Sequence, residues 1–233
     1  MKIVVCIKQV PGTTAVEIDP ESGVLKRSGV AGKMNPFDLF ALETALQIKK
    51  SSGAELTVIS MGPPQAKAVL SEAFAMGADR AFLLSDRRFG GADVLATART
   101  LSQGILACGG ADLILCGKQT TDGDTAQVGS ELAEFLGFPH VNGVSGILEI
   151  TPEYLVVRQE LSVYSAEVQI QLPCLISVEK DLCTPRLPSY KKMLQTAERE
   201  ITVLNLDDLQ DKDPEHYGLN GSPTRVKRIF PPE

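Results

Sequence analysis

Apolar positions in this chain fall into two rhythms that alternate along its length. The first is a short unbroken run. Ile3-Val4-Val5-Cys6-Ile7 opens the series, followed by Glu55–Ser60, Ala81–Leu84 and Leu113–Cys116. Runs of this length with no polar alternation suit strands buried on both faces. The second rhythm is helical. Asn35-Pro36 opens a helix, Asn as N-cap and Pro as first helical residue, with Leu39, Phe40, Leu42, Ala45 and Leu46 on its apolar face and Gly53 at its end. Helices over Pro64–Met76, closed by Gly77, over Asp93–Ala107, and over Thr125–Leu136, closed by Gly137, complete the pattern. Val16–Asp19 and Val24–Arg27 around Pro20-Glu21-Ser22-Gly23 predict a hairpin.

Strands alternating with helices imply parallel strands joined by right-handed crossovers. After Pro139 the texture changes. Val144–Ile150, Tyr154–Leu161, Val163–Leu172 and Leu175–Val178 all read as extended, which predicts an antiparallel addition to the sheet. The fold class is therefore α/β: a mostly parallel, doubly wound, Rossmann-like nucleotide-binding sheet with antiparallel strands added. Residues 1–183 form the nucleotide-binding domain and residues 184–233 an extended C-terminal arm. That arm is poor in core residues, so it is either disordered or laid on a partner. The short apolar run Ile201, Val203, Leu204 and Leu206 favours a partner.

The 233 residues carry a net charge of −6 and no dense Lys/Arg stripe, which argues against a nucleic-acid binder. The five cysteines form no CxxC pair or zinc spacing, and Cys6, Cys116 and Cys174 sit in apolar runs, as buried residues of a reduced compartment do. The chain begins on a strand rather than a signal peptide, and no stretch approaches a membrane span, so a cytoplasmic location is expected. His140 and His216 are the only histidines, and both read as structural.

The most informative segment is Leu113–Gly129, which contains a strand, the polar loop Gly117-Lys118-Gln119-Thr120-Thr121-Asp122-Gly123-Asp124, and a helix start. Ligands of open α/β sheets bind beyond the carboxyl ends of strands. Gly123 lets backbone approach a ligand, Asp124 reads as the N-cap, and the amides of Thr125, Ala126 and Gln127 with the Thr125 hydroxyl are placed to hold a phosphate. The same residues read equally as an ordinary turn and cap. Lys8-Gln9-Val10-Pro11 and Ser60-Met61-Gly62-Pro63 follow other strands and should border the same crevice, although Lys8 is otherwise a solvated lysine and Gly62-Pro63 a simple turn. GxGxxG, P-loop and GxSxG motifs are missing. The site thus binds without evident acid–base machinery, as expected where a cofactor carries the chemistry.

Val5–Pro11, Met34-Asn35-Pro36-Phe37, Ser60–Pro63, Ala75–Arg80, Gly117-Lys118-Gln119, Asp122–Gly129 and Leu172-Pro173-Cys174, in this order and spacing, resemble the small (beta) subunit of electron transfer flavoproteins. The resemblance runs to about Arg186 and more loosely through the arm. It implies a heterodimer with a larger alpha subunit carrying FAD. Ordinary beta subunits hold AMP, whereas electron-bifurcating ones hold a second FAD. Gly123 and Thr125-Ala126-Gln127-Val128 are similar to the bifurcating pattern. The resemblance places the FAD adenosine against Cys6, Asn35 and Met61 and the diphosphate on Thr125, Ala126, Gln127 and Val128, with Cys116, Gly117 and Thr120 also among the cofactor-binding candidates. It implies exchange of electrons with NAD(H), with a flavin-dependent dehydrogenase of acyl-CoA or lactate type, and with ferredoxin through the complex. Thr184–Tyr190 resembles the family's recognition loop, with Pro185, Arg186, Leu187 and Tyr190 as contacts, or else is a proline-rich linker. A stand-alone adenine-nucleotide sensor on a similar fold is the reading from another class.

Overall fold

The computed structural model describes residues 1–12 and 32–226. The hairpin expected over residues 16–27 lies outside them. Nine strands form one sheet: β1 (Lys2–Cys6), β4 (Glu55–Met61), β5 (Arg80–Leu84), β6 (Leu113–Gly117), β7 (His140–Ile150), β8 (Tyr154–Glu160), β9 (Ser165–Gln171), β10 (Cys174–Val178) and β11 (Thr202–Leu204). A separate antiparallel ribbon pairs β2 (Gln9–Pro11) with β3 (Gly32–Met34). The sheet order is β11-β5-β4-β1-β6-β10-β7-β8-β9. The first seven strands are parallel, and β8 and β9 add antiparallel to β7.

One expectation is corrected here. The apolar stretch Leu175–Val178 was grouped with the antiparallel addition, yet β10 inserts between β6 and β7 and is parallel to both. All five of its residues are buried, which is why its sequence is a continuous apolar run.

Helices α1 (Pro36–Ser52) and α2 (Lys67–Met76) cover one face, and α3 (Val94–Ala107) and α4 (Val128–Leu136) the other. Two cores result. Ile3, Val5, Leu42, Leu56, Leu70, Leu115 and Ile176 fill the first, and Val4, Ile59, Leu84, Ile105, Ile114 and Leu132 the second. Alternate residues of β1 serve opposite faces, as the period of two requires. Gly53 ends α1 in the left-handed conformation (φ 70°), and the Asp93 carboxylate caps α3 by accepting from the Ala96 amide at 3.1 Å. Helix α2 is shorter than the apolar pattern suggests, because Pro64–Ala66 form a 3-10 turn before it.

Much of the arm packs on the chain itself. Helix α5 (Tyr190–Thr196) lies against α2, where Lys192 Nζ donates to Met76 O and Arg199 Nη1 to Ala78 O. These cations meet carbonyls at the C-terminal end of α2, where the helix dipole favours them. Strand β11 then pairs with β5, and Leu206, Leu209 and Tyr217 bury almost completely in the second core. The Tyr217 hydroxyl donates to Asp211 O at 2.7 Å, and Asp211 accepts from Arg99 of α3 at 2.7 Å. The arm shows no period because its few apolar residues plug the body singly rather than forming a face of their own.

At the root of the arm, Arg186 grips Glu43 of α1 through Nε (2.7 Å) and Nη2 (2.9 Å). Burial alone would raise the Glu43 carboxyl, but the Arg186 hydrogen bonds outweigh it and hold the group below its ordinary range. The Glu43 side chain is only 5% exposed. Arg186→Ala therefore strands a buried carboxylate. We expect a loss of about 2 kcal/mol, less than for a fully buried pair because Arg186 is partly solvated. Urea melts should show it, and adding Glu43→Gln should return most of the loss.

Candidate functional site

Strand order reverses between β1 and β6: β4 and β5 lie to one side of β1, and β6, β10 and β7 to the other. At such a switch point the following loops part and leave a crevice at the carboxyl edge. Cys6, the last residue of β1, lies there beside Cys116, the last but one of β6, and Ile59, just before Ser60, flanks Cys6. The Cys116 thiol beside it and burial push the Cys6 thiol well above its ordinary range, so it is a neutral packing group.

Asn35 organises the crevice. It occupies the N-cap position of α1, but its side chain makes no cap hydrogen bond. Fully buried, it instead donates from Nδ2 to Gln119 O (2.9 Å) and accepts at Oδ1 from the Thr121 amide (3.2 Å). The start of α1 thereby clamps the loop after β6. Asp38, one turn on, accepts from the Lys8 amide at 2.8 Å. Burial raises its carboxyl to about 7, against hydrogen bonds from Asn35 and the Lys8 and Gly117 amides and the charge of Lys8. Gly117 sits so close that an added Cβ would lie 2.5 Å from Asp38 Oδ1 and 2.6 Å from the Phe37 carbonyl carbon. The sequence did not single out Asp38 or Gln119. A carboxylate in a first helical turn is ordinary, and Gln119 contributes only its carbonyl.

The Asp-Gly-Asp-Thr segment differs from expectation. Helix α4 begins at Val128, its N-cap position is Gln127, and no side chain caps it. Asp124 is not the cap: it and Ala126 hold left-handed backbone, φ 51° and 57°. Thr125, Ala126 and Gln127 thus belong to an exposed loop before the helix. The physical reason is that the Asp124 amide is drawn back to Thr120 O (3.1 Å), which closes a turn and delays the helix. Alternating backbone hand turns successive amides towards one side, a common anion cradle. Among the described residues the amides of Thr125, Ala126, Gln127 and Val128 meet no acceptor. Lys8 Nζ, across the crevice mouth, contacts Asp122 Oδ1 at 2.7 Å.

Met61 and Gly62 continue β4 along the same edge, and the Gly62 amide donates to Leu84 O (3.0 Å). Ser60 Oγ and Glu131 Oε2 are the buried side-chain oxygens that lack a partner among the described residues, and both lie on elements framing this crevice. Burial, with Asp93 nearby, raises the Glu131 carboxyl. The free backbone amides suit a phosphorylated nucleotide. At the other end of the chain, Leu187 is 87% and Tyr190 70% exposed, while Arg186 is turned inward onto Glu43. Among the described residues no helix is long and apolar enough to cross a membrane.

Comparison with known proteins agrees with this architecture. The electron transfer flavoprotein domain model matches residues 22–209. The chain is 47% identical to the caffeyl-CoA reductase-Etf complex subunit CarD of Acetobacterium woodii, over 100% of this chain and 88% of that protein. It is 48% identical to the electron transfer flavoprotein subunit beta of Clostridium acetobutylicum, over 98% and 87%. It is 38% identical to the acryloyl-CoA reductase electron transfer subunit gamma of Anaerotignum propionicum, over 100% and 89%. The α/β sheet with its switch point and these matches make the chain a member of the electron transfer flavoprotein family, among its beta subunits.

Proposed function

We propose that this chain pairs with an electron transfer flavoprotein alpha subunit and holds FAD at the β1/β6 crevice. The pair passes electrons between NAD(H), a flavin-dependent dehydrogenase and ferredoxin by flavin-based bifurcation or confurcation. What favours FAD over AMP is Gly123, whose missing side chain leaves the loop open to a larger ligand in front of the acceptor-free amides of Thr125 to Val128, which can hold one phosphate or two. A flavin bound here supplies the hydride and single-electron chemistry. The chain's own residues position it. Asn35 and Asp38 set the loop, Cys6 and Met61 pack the adenosine side, and the amides with the Thr125 hydroxyl take the phosphates. Relatives named for reductases of caffeyl-CoA and acryloyl-CoA favour an acyl-CoA-type dehydrogenase over a lactate type. The exposed Leu187 and Tyr190 are its contact, with Pro185 and Arg186 holding their loop.

The test is to co-express the chain with its alpha subunit and count released nucleotides. Two FAD and no AMP per heterodimer are expected, while one FAD and one AMP would replace this reading with a simple shuttle. A variant sharpens it. An added Cβ at Gly123 meets only Thr120 Oγ1, at 3.3 Å. Gly123→Glu should therefore leave stability within about 0.5 kcal/mol of the parent. Its carboxylate, facing a diphosphate, should deplete the FAD of this subunit.

A further inference from the structure

The loop after β6 is held unevenly. Its first half is fixed by the buried Asn35 side chain at Gln119 and Thr121. Beyond Thr121, the ties among the described residues before the helix are the Asp124 amide on Thr120 O and the Asp122 carboxylate, which meets Lys8 Nζ across the mouth and the Thr120 side chain beside it. Yet this outer half contains both left-handed non-glycine residues of the crevice, Asp124 and Ala126. Such backbone persists only where surrounding contacts hold it.

Lys8 is built to supply that hold. Its amide donates to Asp38 Oδ2 (2.8 Å) and its carbonyl accepts from the Asn35 amide (2.9 Å), so its backbone is fixed to the start of α1. Only the side chain is left to reach across the mouth. The pair is half-open to solvent, with side-chain exposures of 44% for Lys8 and 24% for Asp122. Burial alone would raise the Asp122 carboxyl, but the Lys8 hydrogen bond and charge hold it below its ordinary range. It is therefore ionised at neutral pH and available to the ammonium.

The geometry points to Lys8 as a positioning residue: its ammonium acts through Asp122, latching residues 122–127 in ligand-ready shape, rather than contacting the phosphate. This rests on the reading that the amides of residues 125–128 take the phosphates. The lysine then keeps the same partner in the free and loaded protein, and the nucleotide charge falls on backbone donors and the Thr125 hydroxyl. The latch is electrostatic and partly solvated, so it loosens with salt.

The experiment uses the heterodimer with Lys8→Met, Asp122→Asn, and the exchanged pair Lys8→Asp with Asp122→Lys. Amide hydrogen exchange is followed in the nucleotide-depleted protein, and AMP is then titrated as the probe. Both single variants should speed exchange at Asp124, whose amide is held by Thr120 O, but not at Thr121, and weaken AMP binding about two- to fivefold, the size expected of a partly exposed pair. The exchanged pair should restore both. Parent protein moved from low to high salt should show the same selective rise in exchange. If Asp122→Asn leaves exchange unchanged and the exchanged pair binds AMP as poorly as Lys8→Met, Lys8 is a direct phosphate ligand and the latch is overturned. Exchange is read without nucleotide, so a heterodimer that carries AMP instead of FAD would sink the function proposed above without touching this result.

Discussion

Gly117→Ala is expected to cost the chain about 3 kcal/mol and to strip the crevice of nucleotide. The added Cβ would lie 2.5 Å from Asp38 Oδ1, 2.6 Å from the Phe37 carbonyl carbon and 2.8 Å from the Asp38 amide nitrogen. Two of these three atoms are backbone, and they belong to the first turn of α1, which cannot swing away. Its Asn35 is clamped on Gln119 and Thr121, and its Asp38 on Lys8. Relief would require lifting the helix start off the end of β6, which dismantles the clamp on the loop after β6. Denaturant midpoints and nucleotide content, measured beside Gly123→Ala, check this. The control's methyl meets only the Thr120 hydroxyl, at 3.3 Å, a side chain that can give way, and should be close to neutral in stability. A Gly117→Ala protein with the parent's midpoint and full nucleotide would show that α1 and β6 have slack the packing denies.

The second large effect is a pH dependence set by Asp38. Its native carboxyl is raised to about 7, mainly by burial, whereas an unfolded aspartate titrates near 4. Between these values the native state keeps a proton that the unfolded state has lost. Stability contributed by this group is therefore present below about pH 4 and falls as pH rises, by about 1.4 kcal/mol per unit and up to about 4 kcal/mol in total, levelling off above about 7. Asp38→Asn removes this slope. The neutral variant should be less stable than the parent at pH 4, because its amide NH2 can only donate and would face N–H groups where the acid's hydroxyl oxygen can still accept, and should regain ground steadily to pH 7. Urea midpoints of both proteins from pH 4 to 8 measure it. A constant difference across that range would mean that the three N–H donors and Lys8 keep Asp38 ionised throughout.

Both effects arise where α1 meets β6, a junction the sequence shows only in pieces. Asn35-Pro36 is legible as a helix start and Gly117 as the end of a strand. Nothing local says that the two touch. Residues 35 and 119 are brought together because β1 and β6 pair directly, with Cys6 opposite Cys116. Once they meet, the Asn35 side chain gains more from two loop groups than from its own helix, so an N-cap residue leaves its cap position unused. The same competition displaces the expected cap at Asp124. Its amide turns back to Thr120, and the helix waits until Val128.

Taken by itself, the sequence determined the alternation of strands and helices, most helix starts and stops, the doubly wound α/β class and the family. These depend on patterns within about a dozen residues, where burial on one face, proline and glycine conformations and capping chemistry write directly into residue order. Tertiary structure alone decided the strand order and its switch point, the insertion of β10 as a parallel strand, the return of the arm onto β5 and α3, and the raised carboxyl of Asp38. Each is a pairing or desolvation between segments tens to more than a hundred residues apart. Its energy depends on what lies opposite, which a run of adjacent residues does not encode.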